Sequence, residues 1–402
     1  MSLDIWRKIL DVGLRGFIKT GTLHVTWPDM SQTIYGDGSG DQIELAITDT
    51  ALIRGLITNP DMAMGDGYMS GRITFGNDDL DGFLELALKN RSLGGGIIFR
   101  SSRVLRQIAR SLILRNPVGK AKSNVAHHYD LSAKLYDLFL DTDRQYSCAY
   151  FTQPDLPLED AQLAKKRHIA RKLCLKPGMR VLDIGCGWGG MALTLAQEFG
   201  VHVTGVTLSE EQHAYAVKRV QDAGLSDKID IRLQDYRKVP ETFDRVVSVG
   251  MFEHVGPRNY GEFFKQLDRL LAAEGTALIH TIAFNVRPQL TSPWITKYIF
   301  PGGHIPALSE IAPHFEATTL DLSDLEVWRM HYAETLKHWH DRFDARKAEA
   351  EELYDETFVR MWRYYLKASE HTFRSGQQVV FQMQFTRNSE TVPLTRDYMY
   401  QD

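Results

Sequence analysis

From residue 180 onward, short β-type apolar runs alternate with stretches of helical periodicity, and this rhythm constrains the chain more than any other feature. Strands are expected at 180–184, 201–206, 229–233, 244–249 and 276–281, with helices between them such as 188–199, 209–223 and 259–271. Alternation of this kind packs as a mostly parallel sheet with helices on both faces, because each right-handed crossover must return over the sheet. The fold class expected is therefore α/β, a doubly wound sheet. Helical patterns continue across 333–373. Val379, Phe381, Met383 and Phe385 then alternate with polar neighbours behind Gly376, as a late edge strand would.

At 402 residues the chain exceeds the ~250–300 that one core usually organises, so more than one domain is expected. Residues 1–95 read as a small α+β unit, with a lipid-contact or interdomain role in view. Leu23, Val25 and Trp27 alternate with polar positions, and Ile43, Leu45 and Ile47 repeat the pattern beyond a Gly/Asp/Ser-rich turn at 36–41. Period two bounded by such turns predicts antiparallel strands, with a helix over 81–88 closing the unit. Residues 96–122 read as a basic linker helix carrying Arg100, Arg103, Arg106, Arg110, Arg115, Lys120 and Lys122 and no acidic residue. Val104, Leu105, Ile108, Ala109, Leu112 and Ile113 share one face, and Arg103, Arg106 and Arg110 the other. Such a helix suits an anionic lipid surface or packs its stripe on a neighbouring domain, and both readings stand. Residues 123–402 are the expected catalytic domain.

A net charge of -4 gives no overall pull toward nucleic acid, so none is expected as a partner, and any membrane affinity must be local. Cys148, Cys174 and Cys186 form no CxxC pair, which argues against a disulfide framework and a thiolate metal site. No signal-type leader and no run near the ~18 apolar residues of a membrane span are visible, so a cytoplasmic location is expected.

The stretch VLDIGCGWGG at 181–190 ends the first strand and opens a helix. Glycines there allow the tight turn and a close approach of backbone to ligand. Gly185, Gly187 and Gly190 satisfy GxGxxG, yet the end of the second strand, Gly205-Val206-Thr207-Leu208-Ser209, lacks the carboxylate a dinucleotide ribose needs. Asp183, two residues before the first glycine, gives D-x-G-x-G-x-G, which resembles the first motif of class I methyltransferases. That resemblance implies S-adenosylmethionine, with the Asp183 carboxylate meeting its ammonium through water. Ser209 and Gln212 fit a capping box, with Gln212 reaching back. Asp235 and Tyr236, just past the third strand, sit where an adenine pocket would form.

Further segments carry a closer resemblance: HHYDLSAKLYDLFLD (127–141), YSCAYF (146–151), SVGMFEHVGPRNY (248–260), LIHTI (278–282), KYIFPGG (297–303) and MHYAETL (330–336). Together these resemble the cyclopropane fatty acid synthases, including the mycolic acid cyclopropane synthases. The resemblance implies a bicarbonate ion held by Cys148, Glu253, His280, the backbone of Ile282, and Tyr332. It places Tyr146, Ser147, Gly185, Gly187, Thr207, Leu208, Gln212, Asp235 and Tyr236 along the S-adenosylmethionine site. Read alone, Cys148 could be a small buried residue and His280 a satisfied core histidine, while His254 competes with Glu253.

The implied reaction transfers the methyl carbon to the double bond of an unsaturated phospholipid acyl chain. An isolated alkene is a poor nucleophile, so alignment must supply much of the catalysis. Aromatic faces such as Tyr146, Phe151, Trp188, Tyr260 and Tyr298 could steady the resulting cation, and bicarbonate would remove a proton to close a cyclopropane ring. Rival outcomes are a methylene- or methyl-branched chain from the same cation, a soluble methyl acceptor, or a silent lipid-binding homologue. Peripheral contact with the inner membrane face and a homodimer are further expectations from the resemblance.

Overall fold

The computed structural model describes residues 3–94 and 133–400; the basic segment 97–122 and the stretch 127–132 lie outside the described residues. The chain divides into two compact units. One comprises Met1–Arg115, Leu290–Pro301 and Leu336–Ser375, and the other Asn116–Gln289, Gly302–Thr335 and Gly376–Asp402.

The first unit contains a four-stranded sheet of β1 (Thr22–Thr26), β2 (Gln32–Gly36), β3 (Gln42–Ile47) and β4 (Ile73–Phe75) in the order β2-β1-β3-β4. β1 and β2 form an antiparallel hairpin, but β1 and β3 run parallel. The expected antiparallel pairing of these two apolar runs is therefore corrected. Alternation reports that Leu23, Val25, Ile43 and Leu45 share one buried face and says nothing of strand direction. β2 escaped notice because only Tyr35 of its five residues is buried. The expected helix over 81–88 is found as Leu80–Ser92. Helix Glu356–Arg374 belongs to this unit: Tyr364 packs edge-on against Trp294 at 4.8 Å and near Tyr68 at 5.8 Å.

The second unit is a seven-stranded sheet of β5 (Arg180–Ile184), β6 (His202–Thr207), β7 (Ile229–Leu233), β8 (Phe243–Val249), β9 (Leu271–Phe284), β10 (Asp321–Trp328) and β11 (Gln378–Thr386). The order is β10-β11-β9-β8-β5-β6-β7, parallel from β9 to β7, with β11 antiparallel to both of its neighbours. The five strands expected from 180 to 281 are present, as are helices Gly190–Phe199, Glu210–Asp222 and Tyr260–Leu270. Tyr260, Phe263, Phe264, Leu267 and Leu270 recur at helical spacing and are all buried against the sheet. Each such side chain contributes roughly 1.5–3 kcal/mol by leaving water.

Two expectations change. β9 runs on to Phe284, so His280 lies inside a strand rather than near its end. β11 is an interior strand, and the edge is β10, which the sequence pattern did not reveal. The polar residues that made β11 look half-exposed are themselves buried: Gln382, Gln384 and Thr386 have no accessible surface. Gln384 Nε2 donates to the Tyr398 hydroxyl at 3.0 Å and to the Lys172 carbonyl. On the other face Phe385 meets Phe264 at 5.5 Å and Phe315 at 5.3 Å.

The interior and edge positions differ in what a truncation removes. Phe385→Ala is expected to cost about 3–5 kcal/mol through transfer and cavity losses, and Val327→Ala on the edge less than about 1 kcal/mol. Thermal melts of the two variants check this; equal shifts would contradict the interior placement of β11.

Candidate active site

The chain leaves β5 for β6 and β7 on one side and returns to β8 and β9 on the other. The carboxyl end of β5 is thus a topological switch point, where sheets of this type take their ligands. Gly185, Gly187 and Gly189 turn there with φ of +81°, +53° and +82°, which an L side chain adopts only with strain. The N–H groups of Gly185 and Cys186 bond the Val206 carbonyl at 2.9 and 3.1 Å and pin the loop to β6. A Cβ on Gly187 would meet no atom within 4 Å, so the outer edge of the loop permits close approach.

Asp183 sits beneath this loop with 2% exposure, and its Oδ2 makes no hydrogen bond. Burial raises its carboxyl pKa to about 7, with Lys165 pulling the other way. A desolvated carboxyl is costly until a cation meets it, and the α-ammonium of S-adenosylmethionine fits that requirement.

At the end of β6, Thr207 Oγ1 donates to Gln212 Oε1 at 3.0 Å and accepts the Ser209 N–H at 3.2 Å. Ser209 Oγ accepts the Gln212 N–H at 3.3 Å. The expected capping box is therefore half formed: the Gln212 side chain turns to Thr207, which already serves the Ser209 backbone. Gln212 is buried, whereas Leu208 is exposed. Asp235 caps the short turn after β7 through the Arg237 N–H at 2.9 Å and pairs with the Arg237 guanidinium, which holds it below the usual carboxylate range against its desolvation. The Tyr236 ring lies edge-on to Phe263 at 5.7 Å, and burial pushes its phenol up.

Tyr146, Ser147 and Cys148 lie on an irregular segment clamped from two sides. From helix Leu158–Lys172, Gln162 Nε2 donates to the Ser147 carbonyl at 2.9 Å, and Lys165 Nζ to Ser147 Oγ and Gln145 Oε1, both at 2.8 Å. From the first turn of helix His331–Ala345, Thr335 Oγ1 accepts the Ala149 N–H at 3.0 Å and His331 Nδ1 the Phe151 N–H at 3.1 Å. Tyr332 lies in that same turn and is 8% exposed. The clamp thereby ties Cys148 to the turn that carries Tyr332. Cys148 has no accessible surface, and burial pushes its thiol far above the usual range, so it stays neutral. Tyr146 packs edge-on to Tyr136 at 5.4 Å.

Glu253 follows β8. Its Oε1 accepts the Ile282 N–H at 2.6 Å, while Oε2 is buried and makes no hydrogen bond. Burial raises its pKa to about 7. Near neutral pH it can carry a proton on Oε2, and only then would an anion such as bicarbonate be tolerated beside it. Of the Ile282 backbone assigned to that ion, the N–H is engaged by Glu253 here. His254, the rival of Glu253, is held neutral by burial, which lowers its pKa to about 4.

His280 on β9 pairs across the sheet with Val249, the last residue of β8, which brings it level with the Glu253 turn. Its carbonyl accepts the Gly250 N–H at 2.9 Å. Its Nδ1 lies 3.1 Å from Gln382 Nε2, and the Trp328 ring stands edge-on at 5.2 Å. Burial lowers its pKa far below the ordinary value, so the ring is neutral.

The expected aromatic faces divide. Tyr260 stacks on Phe252 at 4.6 Å inside the core, and Trp188 already carries the Arg144 guanidinium 5.1 Å from its ring. Tyr298 belongs to the first unit. Gln145, Lys165, Thr335 and Gln382 were missed in the sequence. The one available signal was Lys165 on the apolar stripe Leu158, Ala161, Ile169 of its helix.

With this geometry in view, the similarities are specific. The mycolic acid cyclopropane synthetase family matches residues 118–383, and a family described as a domain of unknown function matches residues 17–92. The cyclopropane-fatty-acyl-phospholipid synthase of Escherichia coli K12 is 41% identical over 333 residues, 82% of this chain and 84% of that one. The tuberculostearic acid methyltransferase of Mycobacterium tuberculosis is 41% identical over 281 residues, 67% of this chain and 66% of that one. The solved cyclopropane synthase MmaA2 from Mycobacterium tuberculosis superposes with a TM-score of 0.63 at 33% identity, covering 67% of this chain and 99% of that one. A mycolic acid cyclopropane synthase, CmaA1, complexed with S-adenosylhomocysteine gives 0.63 at 34%, covering 66% and 97%. The chain belongs to the mycolic acid cyclopropane synthetase family of S-adenosylmethionine-dependent methyltransferases.

Proposed function

We propose that this enzyme adds the methyl carbon of S-adenosylmethionine across the double bond of an unsaturated phospholipid acyl chain and closes a cyclopropane ring. The observation that carries the reading is Glu253: a buried, protonatable carboxyl anchored on Ile282 and level with the neutral His280. When bound, S-adenosylmethionine supplies the electrophilic methyl group and bicarbonate the proton acceptor.

The residues of the chain then have distinct tasks. Asp183, Gly185, Gly187, Tyr146, Ser147, Thr207, Leu208, Gln212, Asp235 and Tyr236 bind the methyl donor. Cys148, Glu253, His280, Ile282 and Tyr332 hold the ion. Protonated Glu253 donates a hydrogen bond rather than opposing the ion with a second negative charge. His280, kept neutral by burial, can likewise donate from one ring nitrogen. Gln382 and Trp328 fix the orientation of its ring. The buried surroundings of these groups keep water from capturing a cation on the acyl chain. The same reading carries peripheral contact with a membrane and a homodimer. Among the described residues no helix is long and apolar enough to cross a membrane.

Incubation with S-adenosylmethionine and vesicles of mono-unsaturated phospholipid is expected to give fatty acids heavier by one CH₂, with cyclopropane ring protons and no vinyl signal in NMR. A vinylidene or methyl-branched product would favour the second reading, which has support from the equally identical tuberculostearic acid methyltransferase. A rate that does not depend on vesicles would point to a soluble acceptor.

Glu253 ionises at about 7 in the fold and near 4.5 when free, so it adds stability below about pH 4.5 that is lost as pH rises to 7. The melting temperature of the ligand-free wild type, minus that of Glu253→Gln, should therefore fall across this window. Turnover by Glu253→Gln should drop at least about tenfold. A flat difference would contradict the protonated form of Glu253.

Membrane contact is assigned to the basic segment. Replacing Arg103, Arg106 and Arg110 with glutamine should weaken binding to anionic vesicles and flatten its salt dependence. Vesicle sedimentation across a salt series measures this, and unchanged binding would remove the segment from the contact.

A further inference from the structure

Lys165 is a buried cation that the proposed chemistry leaves without a task. Its helix places it on a stripe with Leu158, Ala161 and Ile169, and the side chain has no accessible surface. Its Nζ donates to two neutral oxygens, Gln145 Oε1 and Ser147 Oγ, each at 2.8 Å. No carboxylate among the described residues lies within ion-pair distance of it. Lys172 on the same helix is also buried but has Glu326 at 2.5 Å.

The charged groups around Lys165 are already committed or lack a partner of their own. Asp141 takes the N–H groups of Gln145 and Asp143 at 2.8 and 3.2 Å. Asp143 is held by Lys166 and Arg219. Cys148 and His280 are neutral, and Asp183 on β5 has an unbonded Oδ2. Asp141 and Asp143 favour the charged form of Lys165 only through space, and both of its hydrogen-bond acceptors are neutral, so a closer counter-charge is sought in a ligand.

The hydrogen-bond direction identifies that charge. Ser147 Oγ accepts from Lys165, so the single hydroxyl proton of Ser147 must point away from the ammonium. A hydroxyl held in this way is an oriented donor for an anion. The methionine half of S-adenosylmethionine carries one anion, its carboxylate, and two cations, its ammonium and its sulfonium. We propose that Lys165 is a positioning residue for that carboxylate, acting through Ser147, while Asp183 answers the ammonium at the opposite end of the same amino acid. The inference rests on the S-adenosylmethionine reading of the loop. Burial lowers the pKa of Lys165 to about 8, which leaves it mainly charged at neutral pH.

The test compares two ligands by calorimetry at pH 7. S-adenosylhomocysteine keeps the amino acid, and 5′-methylthioadenosine keeps the adenosine and thioether but lacks it. Lys165→Met should weaken S-adenosylhomocysteine at least about tenfold, the usual scale of a charge-assisted hydrogen bond, and leave 5′-methylthioadenosine within about twofold. Ser147→Ala should show the same selective loss, and the double variant should be no worse than Lys165→Met alone. Equal weakening of both ligands, or additive losses in the double variant, would overturn the role assigned to Lys165. If Lys165→Met does not fold, Lys165→Gln, which removes the charge and keeps a polar side chain, takes its place: selective loss of S-adenosylhomocysteine supports the proposal and unchanged affinity refutes it. Wild-type protein that binds no S-adenosylhomocysteine would instead refute the loop reading itself. Wild-type binding with unchanged binding by folded Lys165→Met would sink only the present inference.

Discussion

Removal of water from the carboxyl edge of β5 to β9 sets the chemical form of nearly every polar group there. Asp183 and Glu253 are pushed up to about 7, His254 down to about 4, His280 far below its ordinary value, and Cys148 far above it. Burial is the first cause in each case. Buried groups of low charge suit the cation proposed above on the acyl chain, because they keep it away from bulk water. Lys165 is a buried ammonium whose two hydrogen-bond acceptors are neutral, and for that reason it calls for a partner.

Such dryness depends on how the parallel strands are backed. β11 inserts between β9 and β10 and puts Gln382 against His280. Trp328, at the end of β10, stands edge-on to His280 and near the Tyr150 ring, which in turn stacks on His331 at 4.8 Å. His331 opens the turn that bonds Phe151 and, through Thr335, Ala149. The antiparallel end of the sheet thus forms one wall of the proposed ion site. Truncating Trp328 would loosen both His280 and the Cys148 segment through shared packing.

What could be read in advance was what repeats or what glycine alone permits. The strand–helix rhythm and the loop at Gly185, Gly187 and Gly189 were legible because period and positive φ leave marks in composition. Glu253 falls just past β8 as the strand pattern indicated, whereas His280 lies inside β9, whose extension to Phe284 the pattern did not show. β11 was misplaced because Gln382, Gln384 and Thr386 are polar yet fully buried, so a two-sided interior strand imitated a half-exposed one. β10 was missed because only Asp324 and Trp328 of its eight residues are buried. The parallel pairing of β1 with β3 was invisible because alternation has no polarity. Lys165 was passed over because charged residues are ordinarily surface residues, and its neutral acceptors Gln145 and Ser147 come from a distant segment.

Sequence could not say what each carboxyl requires, because that depends on neighbours. Asp183 and Glu253 have nearly the same pKa in the fold, yet their surroundings point to opposite partners. Asp183 lies under a glycine loop, its Oδ2 unbonded, in the field of a lysine that favours its ionised form. That arrangement suits an incoming cation, which would complete its ionisation. Glu253 already receives a backbone N–H on one oxygen and has no cation among the causes of its shift. An anion beside it would favour the protonated form and gain a hydrogen bond from it. Two carboxyls at one sheet edge can thereby be loaded by ligands of opposite charge, each ligand fixing the protonation state its own binding needs.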